Sequence, residues 1–277
     1  MDLDRPVPGI PGAVIRRVGS LPAFLVDAGP AGQFASAKPG QLLLDVPCVA
    51  RVLVRYGTNI DVAVNQNAAP GMVKLVLNGS ARGALIHQRG ELPLHAATLA
   101  PPGVSGAFAL CGASGAGKST LAAELSRRGW ILVADDTTRV TWDGAHPIAW
   151  PSGDSIKLRR DACDANGLNI ADLERVALDL DKYYLRVPAR DEPVRLTTVI
   201  ELLRDGQERQ DTLSPGQRMS LLTRHTYRQS YIRPLGRLSD FVRMAAHVAG
   251  ACRTVQLPGA RVRPVRDLAD AVEQMVR

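Results

Sequence analysis

One glycine-rich loop constrains the fold of this chain more than any other part of the sequence. Residues 112–119 read GASGAGKS and fit the pattern G-x-x-x-x-G-K-[ST]. The apolar run AFALCG leads into them, and a helical pattern follows from about Lys118 to Arg128, with Gly129 placed to end it. Strand, loop and helix in this order are the context in which the motif binds phosphate groups, because successive backbone N–H groups and the helix N-terminus point at the same anion.

The loop is therefore expected to hold the phosphates of a nucleoside triphosphate, with ATP as the expected cofactor. Lys118 should bridge the β- and γ-phosphates, and the Ser119 hydroxyl can offer its oxygen to Mg²⁺. A glycine-rich turn that binds no ligand is the alternative interpretation. The expected nucleotide-binding residues are Gly112, Ala113, Ser114, Gly115, Ala116, Gly117, Lys118, Ser119 and Thr120.

An acidic pair follows the next apolar strand. The run WILVA ends abruptly in Asp135 and Asp136, one helix and one strand after Lys118. Two adjacent carboxylates at a strand end need partners, so binding of Mg²⁺ and acceptance of a proton are the natural explanations. A turn or a helix cap is the alternative. His95 lies on the strand before the loop and could reach the pair, although a lone histidine is more often structural than catalytic.

Alternation of strand, helix and strand predicts an α/β fold with a three-layer or doubly wound core and ligands at the carboxyl ends of its strands. Residues 1–90 are expected to form a small β-rich region, with short strands in 41–64 and a closing helix over 73–89 that ends at Gly90. Residues 91–277 form the expected nucleotide-binding domain, with a short strand in ELPLHAATLA and a helical part from about Ser214. Core positions of that helical part are expected at Leu221, Leu222, Tyr231, Leu235, Leu238 and Phe241.

Composition narrows the class of protein. The formal charge is +7 at 277 residues, but the cations are mostly Arg and form no dense basic run, so no nucleic-acid partner is expected. No apolar stretch has the length of a membrane helix, and the first residues, MDLDRPVPGI, lack the basic-then-apolar layout of a signal peptide, so we expect a cytoplasmic protein without a membrane partner. The four cysteines are widely spaced, which favours reduced thiols over a zinc site or disulfides.

Several segments together resemble the C-terminal catalytic domain of HPr serine kinase/phosphatase and its shorter relatives, including kinases encoded beside lasso-peptide biosynthesis genes. The resemblance spans roughly residues 73–277 and rests on HQRGELPLHAATL, CGASGAGKSTLAAEL, RRGWILVADDTTRV, PSGDSIKLRRDA and DKYYL. It implies a P-loop core of the HPr kinase and phosphoenolpyruvate carboxykinase type, with a small β-rich N-terminal region and a helical C-terminal part.

The resemblance also implies roles for individual residues. Asp135 matches the catalytic base that removes a serine proton, Asp136 matches a residue near Mg²⁺, and His95 matches a histidine that touches the acid. Lys182 matches a basic position of the short relatives. It could contact a phosphate, or it could be an ordinary surface lysine. The separate N-terminal domain of full HPr kinases is missing or reduced, and their HPr-binding loop is not recognisable. The resemblance therefore does not extend to the regulation, hexameric assembly or phosphatase action of those enzymes. Assembly into a homo-oligomer is left as an open alternative.

These features predict an ATP- and Mg²⁺-dependent kinase that phosphorylates a serine hydroxyl on a peptide or small protein, with the C-terminal serine of a lasso-peptide precursor as the specific hypothesis. HPr itself is an alternative substrate. Two further alternatives are a small-molecule kinase of the adenylylsulfate-kinase type and a nucleotide-binding regulator without turnover.

An arginine-rich stretch near the C-terminus offers a hypothesis for the acceptor. Arg224 and Arg228 are one helical turn apart and interleave with Tyr227 and Tyr231, so one helix face could hold a peptide carboxylate or a phosphate. A solvated helix face whose tyrosines pack inward is the alternative. If the stretch is structural, the acceptor site is expected elsewhere, for instance at residues 157–160.

Overall fold

The computed structural model describes residues 4–204, 210, 212–258 and 263–275. They form a mixed α/β structure with several sheets and helices. The chain divides into two compact units: residues 1–93 with 227–244, and residues 94–226 with 245–277. The stretch 227–244, which the domain prediction assigned to the second domain, thus belongs to the first unit.

The first unit is built on one seven-stranded sheet. Strands within residues 41–64 were predicted and are present, whereas the short strands before residue 41 were not predicted. The sheet order is β1-β2-β7-β6-β5-β4-β3, with only β2 and β7 parallel. The strands are β1 (Arg5–Pro6), β2 (Val14–Arg17), β3 (Gly29–Gly32), β4 (Ala35–Lys38), β5 (Gln41–Val46), β6 (Ala50–Arg55) and β7 (Asn59–Val64).

The predicted helix of this unit is present and ends at Gln88, two residues before Gly90, whose φ is +71°. It runs as α1 (Pro70–Val76), a π-helical turn (Leu77–Ala81) and α2 (Arg82–Gln88). Alternate residues of the central strands point to one face of the sheet and share a core with this helix. The shared core contains Leu42, Leu44, Val52, Val54, Ile60, Val62, Val73, Leu77, Ala84 and Leu85.

Two glycines of the helix allow a close approach of Tyr227. A Cβ at Gly79 would lie 3.0 Å from the Tyr227 hydroxyl oxygen, and a Cβ at Gly83 would lie 2.8 Å from a carbon of the same ring. Both glycines therefore serve packing, which explains why they occur inside a helix where glycine is otherwise unfavourable.

The second unit is built on a mixed sheet. The order β11-β9-β10-β17-β13-β12 has β18 beside β17 as well, and β10, β17 and β18 are parallel. The antiparallel strand β9 lies between β10 and β11, so the sheet is not the all-parallel sheet of a doubly wound fold. Its strands are β9 (Ala96–Ala100), β10 (Ala107–Gly112), β11 (Ile131–Ala134), β12 (Thr138–Trp142), β13 (Pro147–Trp150), β17 (Val194–Leu202) and β18 (Arg253–Leu257). The strand β8 (Leu92–Leu94) precedes β9, and the two are separated by His95.

A second, three-stranded sheet has the order β14-β16-β15 and is antiparallel throughout. Its strands are β14 (Ser155–Arg159), β15 (Glu174–Ala177) and β16 (Leu180–Arg186). One face of this sheet joins the core that covers the main sheet, through Ile156, Leu158 and Tyr183. The same core includes Leu110, Ile200, Leu202, Leu257, Leu121, Leu125 and Leu268.

The helices of the second unit and the tail match the sequence in part. They are α3 (Lys118–Arg127), α4 (Arg160–Ala165), α5 (Pro215–Arg224), α6 (Leu238–Ala251) and α7 (Val265–Gln274). Five of the six tail residues predicted to lie in the core are buried. The prediction for the sixth, Leu238, is wrong, because this residue is 41% exposed. Strand β18 was not predicted. No helix within the described residues is long and apolar enough to cross a membrane.

Candidate functional site

The sheet order brings three predicted site elements to one edge. Strands β10 and β11 both run antiparallel to β9, so their carboxyl ends and the start of β9 meet at that edge. The glycine loop follows β10, the acidic pair follows β11, and His95 immediately precedes β9. The antiparallel β9 is thus the element that puts the histidine between the loop and the acids.

A cavity of about 180 Å³ opens at this edge of the sheet. The predicted residues that line it are His95, Ser114, Gly115, Gly117, Lys118, Ser119, Thr120, Asp135, Asp136 and Lys182. Lining residues that were not among the predicted site are Ala97, Lys157, Arg159, Asp161 and Ala162. Gly112, Ala113 and Ala116 are not lining residues, and the first and last of them shape the loop from beneath.

The loop has the backbone that its glycines allow. Gly112 has φ +154°, and a Cβ there would lie 3.0 Å from the Cβ of Ala116 and 3.1 Å from the carbonyl oxygen of Leu202. Gly117 has φ +88° and is the N-cap of α3. The first-turn amides of such a helix have no intrahelical acceptor and point toward the cavity end of the axis. The loop therefore has the form of an anion-binding helix start.

Lys118 lies over the loop and is largely buried. Its Nζ donates to the carbonyl oxygens of Gly112 at 2.7 Å and Ala113 at 3.3 Å. Burial lowers the pKa of Lys118, while Cys111 and the two aspartates act in the opposite direction. The ammonium thus belongs to the cavity, where an anion would replace the carbonyl partners.

Asp136 is held as an anion by Lys157. Its Oδ2 accepts a hydrogen bond from Lys157 Nζ at 2.7 Å. Burial alone would raise the pKa of Asp136, but the charge and hydrogen bond of Lys157 outweigh it, and the pKa lies below its ordinary value. Asp136 also has φ +69°, a left-handed conformation that few non-glycine residues adopt. This turn of the chain points its side chain and its carbonyl oxygen at different partners.

Asp135 has the opposite electrostatic character. Burial raises its pKa to about 6, Lys157 counteracts this, and the neighbouring Asp136 charge adds to it. Its Oδ2 accepts the backbone N–H of Lys157 at 2.9 Å. Two adjacent carboxyls thus have pKa values displaced in opposite directions, an arrangement that marks acid and base assignments at catalytic sites.

His95 contacts the acidic pair through the backbone. Its Nδ1 lies 2.8 Å from the Asp136 carbonyl oxygen and 3.4 Å from Asp136 Oδ1. Because a carbonyl oxygen only accepts, the geometry assigns the proton to Nδ1. Burial and the charge of Lys118 lower the pKa of His95, so its imidazole is neutral at neutral pH. The predicted contact between His95 and the acid is present, and its acceptor is the main chain.

Lys157 is the site residue that the sequence prediction missed as a partner of the acids; it appeared only as a fallback acceptor position. The signal was present in β14, where Ile156 and Leu158 are buried in the core. Alternation along a strand then directs Lys157 and Arg159 to the opposite face, which is the cavity side. Lys182 is the Cα partner of Arg159 on β16, so both cations lie on this face.

The prediction that Arg224 and Arg228 share a helix face is wrong. Helix α5 ends at Arg224, and Arg228 has φ +52°, outside any helix. Arg224 Nη2 donates to both carboxylate oxygens of Glu201, at 2.9 and 3.2 Å. Tyr231 is buried, as the structural alternative expected. Neither arginine is among the lining residues of the cavity.

Comparisons with known proteins give a limited result. No protein-family model matches the chain, and no curated protein matches it. Among solved structures, the chain is similar to the HPr(Ser) kinase/phosphatase from Coxiella burnetii, with 16% sequence identity and a TM-score of 0.38. The match covers 67% of this chain and 88% of that chain.

Proposed function

We propose that this protein is a kinase that transfers the γ-phosphate of ATP to a serine hydroxyl of a peptide or small protein. The observation that carries the proposal is the acidic pair, which faces an anion-binding loop across one cavity. Asp136 is kept ionised by Lys157, whereas the pKa of Asp135 is raised to about 6. A carboxylate that is ionised at neutral pH and has a pKa near that pH is suited to accept a proton.

The triphosphate would lie on the loop. The amides at the start of α3 and the Lys118 ammonium provide donors for the β- and γ-phosphates. Binding would draw Lys118 Nζ away from the carbonyl oxygens of Gly112 and Ala113, which hold it at 2.7 and 3.3 Å. The Lys118 ammonium would therefore exchange two neutral carbonyl acceptors for charged phosphate oxygens, which form stronger hydrogen bonds.

The residues beside the phosphates fit Mg²⁺. The Ser119 hydroxyl in the first turn of α3 and the Asp136 carboxylate both line the cavity and are hard oxygen donors. Mg²⁺ is commonly held by one or two such ligands together with phosphate oxygens and water. When bound, the ion would neutralise charge on the phosphate oxygens. Asp136 would then share its two oxygens between the ion and Lys157.

The transfer step needs one proton acceptor. As the serine oxygen forms its bond to the γ-phosphorus and the bond to the bridging oxygen of ADP breaks, the hydroxyl proton would pass to the Asp135 carboxylate. The Lys157 N–H keeps Asp135 Oδ2 in a fixed orientation at 2.9 Å. His95 would restrain the backbone at Asp136 through its bond to the Asp136 carbonyl oxygen. These groups supply positioning and charge, which is most of what phosphoryl transfer requires of a protein.

Two cations on the cavity wall favour an anionic group on a ligand. Arg159 and Lys182 are Cα partners on adjacent antiparallel strands, where like charges oppose each other unfavourably. Arg159 Nε lies 3.9 Å from Asp161 Oδ1, and both of these side chains are mostly exposed. A carboxylate or phosphate would relieve this repulsion. A C-terminal serine, such as that proposed for a lasso-peptide precursor, carries its carboxylate next to the acceptor hydroxyl.

The experiment is transfer of radiolabelled γ-phosphate from ATP to a panel of serine peptides with free or amidated C-termini, together with HPr and adenylylsulfate. The proposal expects labelled phosphoserine with wild-type protein and none with Asp135→Asn. Asp161→Asn, a cavity acid outside the proposed chemistry, should keep the activity. Label on adenylylsulfate would favour the small-molecule kinase. Tight ATP binding without transfer to any acceptor would contradict the proposal and favour a regulator.

A further inference from the structure

A buried carboxylate lies outside the cavity and has no role in the chemistry above. Glu201 on β17 is 5% exposed, and its carboxylate accepts hydrogen bonds from three side chains. Arg224 Nη2 lies 2.9 and 3.2 Å from its two oxygens, His225 Nε2 lies 2.8 Å from one, and Gln256 Nε2 lies 2.9 Å from the other. These bonds hold the pKa of Glu201 at about 2 against the effect of burial. The carboxylate is therefore ionised at neutral pH.

The strand register places this anion beside the start of the loop. Glu201 is the Cα partner of Cys111 on β10 and of Gln256 on β18. Paired residues on adjacent strands share a face of the sheet, and the next residues along, Gly112 and Leu202, lie toward the core under α3. Glu201 thus lies on the sheet face opposite α3. Its strand partner Cys111 is the last residue before the glycine loop.

A chain of hydrogen bonds connects Glu201 to His95. The imidazole of His225 donates to the Glu201 carboxylate. The backbone carbonyl oxygen of His225 accepts a hydrogen bond from the backbone N–H of His95 at 2.7 Å. Leu94 and Thr226 form a β-bridge next to this bond. The turn after α5 is thus fixed to the main chain at His95, and His95 in turn donates to the Asp136 carbonyl oxygen at 2.8 Å.

The composition of this cluster favours positioning over stability. Burying an ion requires a desolvation cost, and apolar residues of similar volume usually stabilise a fold as well or better. A satisfied buried network, by contrast, restricts its members to one arrangement. The arrangement fixed here is the backbone that carries His95, between the glycine loop and the acidic pair.

We propose that Glu201 is a positioning residue, which acts through His225 to hold the His95 main chain and thereby the imidazole at the Asp136 carbonyl. The kinetic part of this inference rests on the proposed phosphoryl transfer; the structural part does not. Glu201→Gln keeps the shape of the side chain and removes its charge. Glu124→Gln is the matched control, because Glu124 is also buried and is held by Arg127 and Arg128 at the C-terminal end of α3.

The kinetic test is a double-mutant cycle on phosphate transfer. Glu201→Gln should lower kcat about tenfold, the effect typical of residues that orient a functional imidazole, with the KM for ATP unchanged. Adding Glu201→Gln to His95→Gln should cost little more, because both changes remove the same restraint. Independent losses in the double variant, or an equal loss in Glu124→Gln, would overturn the proposal.

A second test needs no acceptor and decides the structural part even if no transfer is found. The chain has five histidines, so each imidazole can be assigned by substitution in nitrogen NMR spectra. Wild type should show His95 protonated at Nδ1; Glu201→Gln should broaden or shift that signal, and Glu124→Gln should not. If Glu201→Gln does not fold, Arg224→Met takes its place. This variant removes the half-exposed partner of Glu201, and it should shift the His95 signal away from its wild-type position by less than the loss of the carboxylate would. A His95 signal unchanged in every foldable variant would overturn the inference.

Discussion

Replacing Asp135 by Asn should stabilise the protein at neutral pH while abolishing phosphate transfer. The pKa of Asp135 rises from 3.8 to about 6 because burial disfavours its charge. The carboxyl ionises more readily in the unfolded chain than in the folded chain. Ionisation therefore lowers the free energy of unfolding, fully so above about pH 6, and this loss disappears as the pH falls toward 3.8, the pKa in the unfolded chain. A shift of this size corresponds to about 3 kcal/mol, and the partial exposure of Asp135 reduces it to about 1–2 kcal/mol.

Urea unfolding at a series of pH values measures this penalty. Asn can still accept the Lys157 N–H, so the free energy of unfolding of Asp135→Asn should exceed that of wild type at neutral pH, and the difference should shrink as the pH falls from about 6 to about 4. Transfer should fall at least ~100-fold, the usual contribution of a general base. Asp161→Asn should change the unfolding free energy by less than about 0.5 kcal/mol. A less stable Asp135→Asn, or a gain that is the same at every pH, would refute the reasoning.

Three further substitutions test separate parts of the structure. Lys118→Ala should abolish ATP binding in calorimetry with an unchanged circular dichroism spectrum, and retained affinity would contradict the role of the loop. Asp136→Asn should raise the Mg²⁺ concentration needed for half-maximal transfer, and identical titrations would remove its metal role. Gly83→Ala should lower the melting temperature, because its Cβ would lie 2.8 Å from the Tyr227 ring. Gly250→Ala, which meets nothing within 4 Å, should raise stability by about 0.5–1 kcal/mol; a stabilising Gly83→Ala would contradict the packing argument.

The central part of the site was predictable because it depends on local sequence. The apolar run, the glycine pattern and the helix that follows specify the loop and the position of Lys118 without reference to distant residues. Asp135 and Asp136 end the next strand, and two strands that both lead into ligand-binding loops tend to end at the same sheet edge. The sequence could not specify the antiparallel strand between them, which is what brings His95 to the same place.

The failures came from contacts between segments far apart in the chain. At His95, between β8 and β9, the backbone N–H donates to the carbonyl oxygen of His225, 130 residues away in the sequence. Arg224 was assigned to a substrate because its partner Glu201 lies on another element. Lys157 needed the alternation of β14 and also the knowledge that its polar face meets the acids. The short strands before residue 41 have little periodicity and are defined by sheet pairing alone.

The pH dependence of phosphate transfer tests the central claim most directly. The measurement is the single-turnover rate at saturating Mg²⁺ and ATP, with a serine peptide phosphorylated by wild type. If Asp135 accepts the hydroxyl proton, the rate should fall on the acid side, with a midpoint set by the pKa of Asp135 in the loaded site. Lys157→Met should move that midpoint upward, because the Lys157 charge lowers the pKa of Asp135. A rate that is flat on the acid side, or an acid limb unaffected by Lys157→Met, would contradict the account.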